Sequence, residues 1–169
     1  LKVTIPVEAG NSTIKNGTLR GFYYAIHISD IAPYASRANV VEDVRVDRST
    51  SNGLRIACRG CVVRRNQVVG SGQPRVLGTN RDVYGVLLFG PGNRVIDNDV
   101  VSVKGYGTGL GYGIGFGLDT ENCAAVNNRI SEAAFGVTTA FSSTKYRDNL
   151  TLGVLTPYGP DGTDAGNNH

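Results

Sequence analysis

The chain has 169 residues, 23 of them glycine, with no methionine, no tryptophan and a formal net charge of +3. That length holds one domain with a real core. The arginines are scattered and form no dense basic block, which argues against nucleic acid as a partner. No apolar run approaches the roughly 20 residues of a membrane helix, which argues against membrane insertion. β-Branched residues are common and long runs of Ala, Leu, Glu and Lys are missing, so the composition favours an all-β chain with many turns.

The chain opens on "LKVTIPV", a strand-like segment. Next comes "YAIHI" (24–28), a small residue followed by alternating apolar ones, and then "VEDVRV" (41–46), with apolar residues five apart. The two phrases recur as "NGLRI" (52–56) with "VRRNQV" (63–68), "YGVLL" (84–88) with "VIDNDV" (95–100), and "IGFGL" (114–118) with "AVNNRI" (125–130). A last copy pairs "FGVTT" (135–139) with Tyr146. Nine residues separate Leu54 from Val63, Val86 from Val95, Phe116 from Ala125 and Val137 from Tyr146, but fifteen separate Ile26 from Val41. The basic period is about 21–22 residues, with insertions at 28–39, 69–83 and 101–113.

Such a period, with strand alternation and no helical segment, predicts one all-β domain built as a parallel β-solenoid of about six coils. The coils are expected over about 12–155, followed by an irregular tail at 156–169. The leucine-rich pattern that shares this period is missing. One interior stack is expected from Ile26/Ile28, Leu54/Ile56, Val86/Leu88, Phe116/Leu118 and Val137/Thr139. A second comes from Val41/Val46, Val63/Val68, Val95/Val100 and Ala125/Ile130, because a strand sends alternate side chains to opposite faces. Asn66, Asn98 and Asn128 share one repeat position. They read as corner residues that tolerate the left-handed conformation and pair amide to amide from coil to coil. Native sequence is expected before Leu1, or a partner over that end, since an open solenoid end exposes unpaired strand edges.

Cys58 and Cys61 form the C-x-x-C of "ACRGC", and Cys123 stands apart. Zinc would need a second ligand pair, and a thioredoxin-like motif would need a strand-to-helix setting. The pair reads as a local disulfide across a turn or as two free thiols.

The "GI"-type strand followed by "VxxNxV" resembles the repeat of the right-handed parallel β-helix superfamily, which includes pectate lyases, polygalacturonases, alginate epimerases and phage tailspikes. The "KYRDNLTLGVLTPYGPDGTDAGNNH" tail and the "C-x-G-C-V-V" turn are similar to exported bacterial members of unassigned activity. The resemblance implies a secreted, periplasmic or cell-surface protein. It also implies a site on the outward side of the "GI" strand.

That side carries Tyr24 and His27, Asn52 and Arg55, Tyr84 and Leu87, Ile114 and Gly117, then Phe135 and Thr138, with Asp82 and Tyr112 two residues earlier on their strands. The insertions edge the same side, as binding loops of solenoids do, and the glycine-aromatic "SVKGYGTGLGYG" is expected to fold over a ligand. Tyr24, Asn52, Asp82 and Tyr112 are the expected substrate-binding residues, the tyrosines by stacking on sugar rings. Hydrolysis needs a pair of carboxyls, and the outward positions lack one. Lyase or epimerase chemistry needs a base, a cation and an acid, for which His27, Arg55, Tyr84 and Lys104 are the candidates. The arginine motif of pectate lyases and the D-P-H motif of alginate epimerases are absent, and "HISD" (27–30) only echoes the latter. No cofactor is expected. Asp30, Asp82 and Asp119 are the only candidates for calcium, and no clustered acidic pattern demands it. The expected partner is a polysaccharide, acidic in character. The alternative is a non-enzymatic surface or scaffold module that uses the loops or the N-terminal end for oligomer or partner contacts.

Overall fold

The structure, a computed structural model, describes residues 3–5, 10–28, 34–72 and 80–169. Among these there are sixteen strands and no helix, joined in one sheet path whose strand pairs are parallel. Three ladders run side by side through the repeats. The first stacks Ile26–Ile28, Leu54–Ala57, Val83–Phe89, Gly111–Phe116 and the second half of Arg129–Thr139. The second stacks the first half of Val40–Asp47 with Val62–Arg64, Arg94–Ile96, Ala124–Val126 and Lys145–Arg147. The third stacks the second half of Val40–Asp47 with Gln67–Val69, Asp99–Val101 and the start of Arg129–Thr139. The chain is all-β and solenoid-like, consistent with a parallel β-helix.

Three bends per repeat separate the ladders, and each is a column of residues in the left-handed region. Asp43, Arg65, Asp97, Asn127 and Asp148 make one column, with φ between 52° and 57°. Arg48, Gly70, Ser102, Glu132 and Gly153 make another. Asn11, Ala38, Gly60, Gly92 and Asn122 make the third. Glycine, asparagine and aspartate visit this region at the lowest cost, which is why they recur at these positions. The sequence reading placed the left-handed residue at Asn66, Asn98 and Asn128; it is the residue before each of them.

Those asparagines have a different task. The Asn66 Oδ1 accepts the Val44 N–H, and Asn98 Oδ1 accepts both the N–H and the Nδ2 of Asn66, all at 3.0 Å. Asn128 serves Asn98 in the same way, Asn149 serves Asn128, and Asn168 serves Asn149. Each Nδ2 also donates to a carbonyl of an earlier strand, as Asn98 does to Val63. Sequence separations along this ladder are 22, 32, 30 and 21 residues. It holds its step although the insertions change the repeat length. A second corner alternates asparagine with cysteine: Cys61 Sγ accepts the Asn39 N–H, Asn93 Oδ1 accepts the Cys61 N–H, and Cys123 Sγ accepts the Asn93 N–H. Cys58 and Cys61 are joined by a disulfide with Cα atoms 6.2 Å apart, and Cys123 is a buried free thiol that burial pushes up to about 11.

The interior between the ladders is apolar. All eight side chains of the expected second stack are buried. In the first stack one register differs from expectation. Ile114 lies opposite Val86 and Phe116 opposite Leu88, so Ile114 and Phe116 face inward. Leu118 is 67% exposed. The run "GYGIGFG" alternates glycine in either frame, so local pattern is neutral between them. Ring packing decides, because the adopted frame puts Tyr112 between Tyr84 and Phe135.

The small residue that opens each first-ladder phrase also has a cause. A Cβ on Gly85 would lie 2.4 Å from Val100 Cγ1 and 2.8 Å from the Gly113 carbonyl; one on Gly113 would lie 2.4 Å from Ile130 Cγ2. The third-ladder stack and the neighbouring repeat fill that space.

The 156–169 tail is strand in part: Leu150–Tyr158 runs into it and pairs along Arg129–Thr139, and Thr163–Asp164 pairs with Lys145–Arg147. Tyr146 and Tyr158 stack inside this end with ring centroids 5.0 Å apart. The Asn168 amide turns back to Tyr146 and Gly166 and ends the ladder. Pro157 occupies the place that Gly136 and Gly113 hold in earlier repeats. Its missing N–H denies a further strand a donor there, a common way to blunt a sheet edge.

If the ladder carries the stack, Asn98→Ala should cost about 3 kcal/mol, since it orphans several buried backbone groups. Asn168→Ala, at the ladder's end, should cost about 1 kcal/mol or less. Denaturant unfolding of the two variants checks this ordering.

Candidate functional site

The outward side of the first ladder is built in three registers. In the middle one, His27, Arg55, Leu87, Gly115 and Thr138 follow one another. Tyr84, Tyr112 and Phe135 make a second row, which Asn52 and Tyr24 continue toward the N-terminal end. Phe89 and Gly117 lie in the third.

Arg55 is the centre of the N-terminal half. Its Nη1 lies 2.7 Å from His27 Nε2 and its guanidinium carbon 4.7 Å above the centroid of the Phe89 ring. Arginine only donates, so Nε2 is the acceptor in this contact. His27 is 8% exposed and meets Tyr24 edge-on at 5.1 Å. Among the described residues Arg55 has no carboxylate partner, unlike Arg20, Arg64, Arg65 and Arg129. A half-buried guanidinium with an aromatic backing and no counter-charge is an anion receptor in waiting.

The C-terminal half is an aromatic wall beside a glycine depression. Tyr84, Tyr112 and Phe135 stack with centroids 4.6 and 4.9 Å apart and planes within 14°. The Tyr84 ring leans over Gly115 and the Phe89 ring over Gly117, so close that a Cβ there would lie 2.4 and 2.6 Å from ring carbons. These two glycines create a cleft of about 310 Å³ bounded by Tyr84, Leu87, Tyr112, Thr138, Ala140 and Asp161. Tyr112 has both ring faces covered, by Tyr84 and Phe135, and Tyr84 has one face covered by Tyr112, so edges and hydroxyls are the main groups left for a ligand. Burial is the main cause that pushes Tyr84 up to about 12, helped by the neighbouring Tyr112 and Asp82; Tyr112 is also raised, by burial and by Asp82.

The remaining expected residues are placed differently. Asn52 is buried, and its Oδ1 accepts the Tyr84 N–H at 3.0 Å, which makes it a backbone clamp. Asp82 is exposed at the edge and accepts the Leu110 N–H at 2.8 Å. Tyr112 joins the Tyr84 row; the sequence reading placed it two residues earlier. Lys104 does not join His27, Arg55 and Tyr84. It lines another cleft, of about 500 Å³, with Val103, Leu110, Glu132, Ala133 and Leu155, round the corner from the first ladder. Asp30 lies outside the described residues.

The insertions edge the face from both sides. The 101–113 loop is pinned along one border: Tyr106 bridges Arg81 and its hydroxyl donates to the Thr50 carbonyl, while the Thr108 N–H donates to Asn80. It borders the cleft and does not close over it. At the opposite border, Tyr34 of the 28–39 insertion donates its hydroxyl to Asp119 at 3.1 Å. Phe89, Gly115 and Asp161 were missed from sequence, while Gly117 was placed on the outward side. The "GFG" run (115–117) held a signal for Gly115 once the register was right; Asp161 sits in the segment read as irregular.

Among the described residues no group of three or more His, Cys, Asp or Glu side chains is placed to hold a metal ion. No protein-family model matches the chain, and no curated protein or solved structure does either. The fold and the face therefore define a class, an all-β protein of stacked parallel strands with a loop-bordered cleft, and function has to be argued from the cleft itself.

A tyrosine held this way should ionise late. The difference in ultraviolet tyrosinate titration between the wild-type protein and Tyr84→Phe should rise near pH 12. Between the ordinary value of about 10 and 12, the folded state keeps a proton that the unfolded state has lost, so stability should fall with rising pH in that window. A difference curve centred near 10 would contradict the burial.

Proposed function

We propose that this is an exported right-handed parallel β-helix protein of about six coils, related to the pectate-lyase-like superfamily, that binds an acidic polysaccharide along the outward side of its first ladder. The observation that carries the binding reading is Arg55: a half-buried guanidinium with no carboxylate partner among the described residues, flanked by His27, backed by Phe89, and paired across the ladder with Leu87, which lines the aromatic-walled cleft. A sugar carboxylate there would form the charge-assisted, planar pairing that arginine favours. Export is supported by the Cys58–Cys61 disulfide, which persists in oxidising compartments. Right-handedness is supported by the strong preference of parallel strand connections for that hand.

The reading is of binding rather than chemistry. A general base has to shed its proton near the working pH, and Tyr84 is pushed the opposite way, to about 12. His27 Nε2 is already engaged by Arg55. Lys104 lines a different cleft.

A second reading, a module for subunit or partner contacts, is favoured by one feature. Leu150, Leu152 and Leu155 are exposed on Leu150–Tyr158, Leu155 at 86%. The two readings separate in one experiment on the full chain. Uronic-acid oligosaccharides should bind the wild-type protein by calorimetry, Arg55→Gln should weaken binding at least about tenfold, the worth of a charge-assisted hydrogen bond, and no unsaturated product should appear in ultraviolet absorbance. A stable oligomer with no glycan bound would favour the second reading; accumulation of unsaturated product would overturn the non-catalytic one.

A further inference from the structure

We infer that the face is electrically two-ended, and that it takes a glycan carrying a carboxylate at one end of the bound segment and a carboxylate-free sugar at the other. The inference rests on the glycan-binding reading and narrows its substrate class. At the N-terminal end, Arg55 presents the only positive charge of the three registers among the described residues, with His27 beside it. At the other end the charge is negative. Asp161 lines the Tyr84–Tyr112 cleft, is exposed, and has no partner among the described residues. No Lys, Arg or His lines that cleft to offset it.

Geometry keeps the two ends apart. Arg55, Leu87, Gly115 and Thr138 are successive positions across neighbouring strands. With strands about 4.8 Å apart, the Arg55 and Thr138 positions are about 14 Å apart, and Asp161 borders the cleft at the Thr138 end. A chain of uronic acids lying along this line would put one carboxylate on Arg55 and another against Asp161, in contact with tyrosine edges that offer it no positive charge. Like charges so placed oppose binding. The tyrosine and threonine hydroxyls there suit sugar hydroxyls instead. The fitting ligand is a mixed acidic–neutral heteroglycan, not a uronic-acid homopolymer.

The test compares two probes, an oligogalacturonate and the same oligosaccharide after partial reduction of its carboxyls to alcohols, by calorimetry at low salt. The wild-type protein should bind the partly reduced chain about 5–10-fold more tightly, a preference that shrinks as salt screens it. Asp161→Asn, a change at an exposed side chain that should leave the thermal midpoint unmoved, should narrow the gap to about twofold by improving binding of the fully acidic chain. Arg55→Gln should weaken both. Equal or tighter binding of the fully acidic chain, or a gap that Asp161→Asn leaves intact, overturns the two-ended charge pattern while leaving glycan binding in place. Failure of both probes to bind the wild-type protein overturns the glycan reading and this inference with it.

Discussion

Every feature of this chain depends on one requirement: each repeat must seat on the next at the strand spacing, although repeats differ in length by up to about half. The asparagine ladder from Asn66 to Asn168 meets that requirement. Each buried amide presents an oxygen to the repeat before it and its own N–H groups to the repeat after it, so a shift of register would orphan several polar groups at once. Such groups cost most where water cannot reach them. The Asn39, Cys61, Asn93 and Cys123 column does the same at a second corner with weaker sulfur acceptors. Between the two corners a residue can be added only where the chain leaves the ladders, which is where the insertions lie.

That division explains what the sequence discloses. The second stack and the asparagine column are legible because "VxxNxV" fixes two inward positions and one polar post in few residues, and no other frame fits. The Ile114/Phe116 register is not, because glycine at every second position satisfies the pattern in either frame. Contact among Tyr84, Tyr112 and Phe135 chooses, and that contact joins residues far apart in the chain. The left-handed bend was placed one residue late because asparagine suits both the bend and the ladder. Only the hydrogen bonds distinguish the two roles, and Arg65 at a left-handed position is not a residue that pattern would choose. The strands of the tail are not legible because they pair without repeating the phrase.

The site shows the same mixture. The neighbourhood of His27 and Arg55 is visible from sequence because both occupy the outward position of adjacent repeats. Lys104 is not separable by counting alone: the left-handed Ser102 turns the chain just before it, and the lysine leaves the face. Asn52 has a ligand-like position but spends its oxygen on the Tyr84 backbone, because the buried strand edge needs an acceptor there more than the surface needs an amide. The face that results is shaped as much by missing side chains as by present ones. Gly115 and Gly117 let two rings lie flat on the sheet, and the hollow they leave is the cleft.

The central claim is that the outward side of the first ladder, from Arg55 to Asp161, is where this protein meets its ligand. Backbone amide shifts in NMR spectra recorded during titration with a mixed acidic–neutral oligosaccharide test it most directly. The largest changes should fall on Arg55, on Tyr84–Phe89 and on Gly111–Gly117, with the asparagine ladder undisturbed. Changes concentrated on Leu150–Leu155 and the Lys104 cleft, with Arg55 and Gly115 unmoved, would contradict the account.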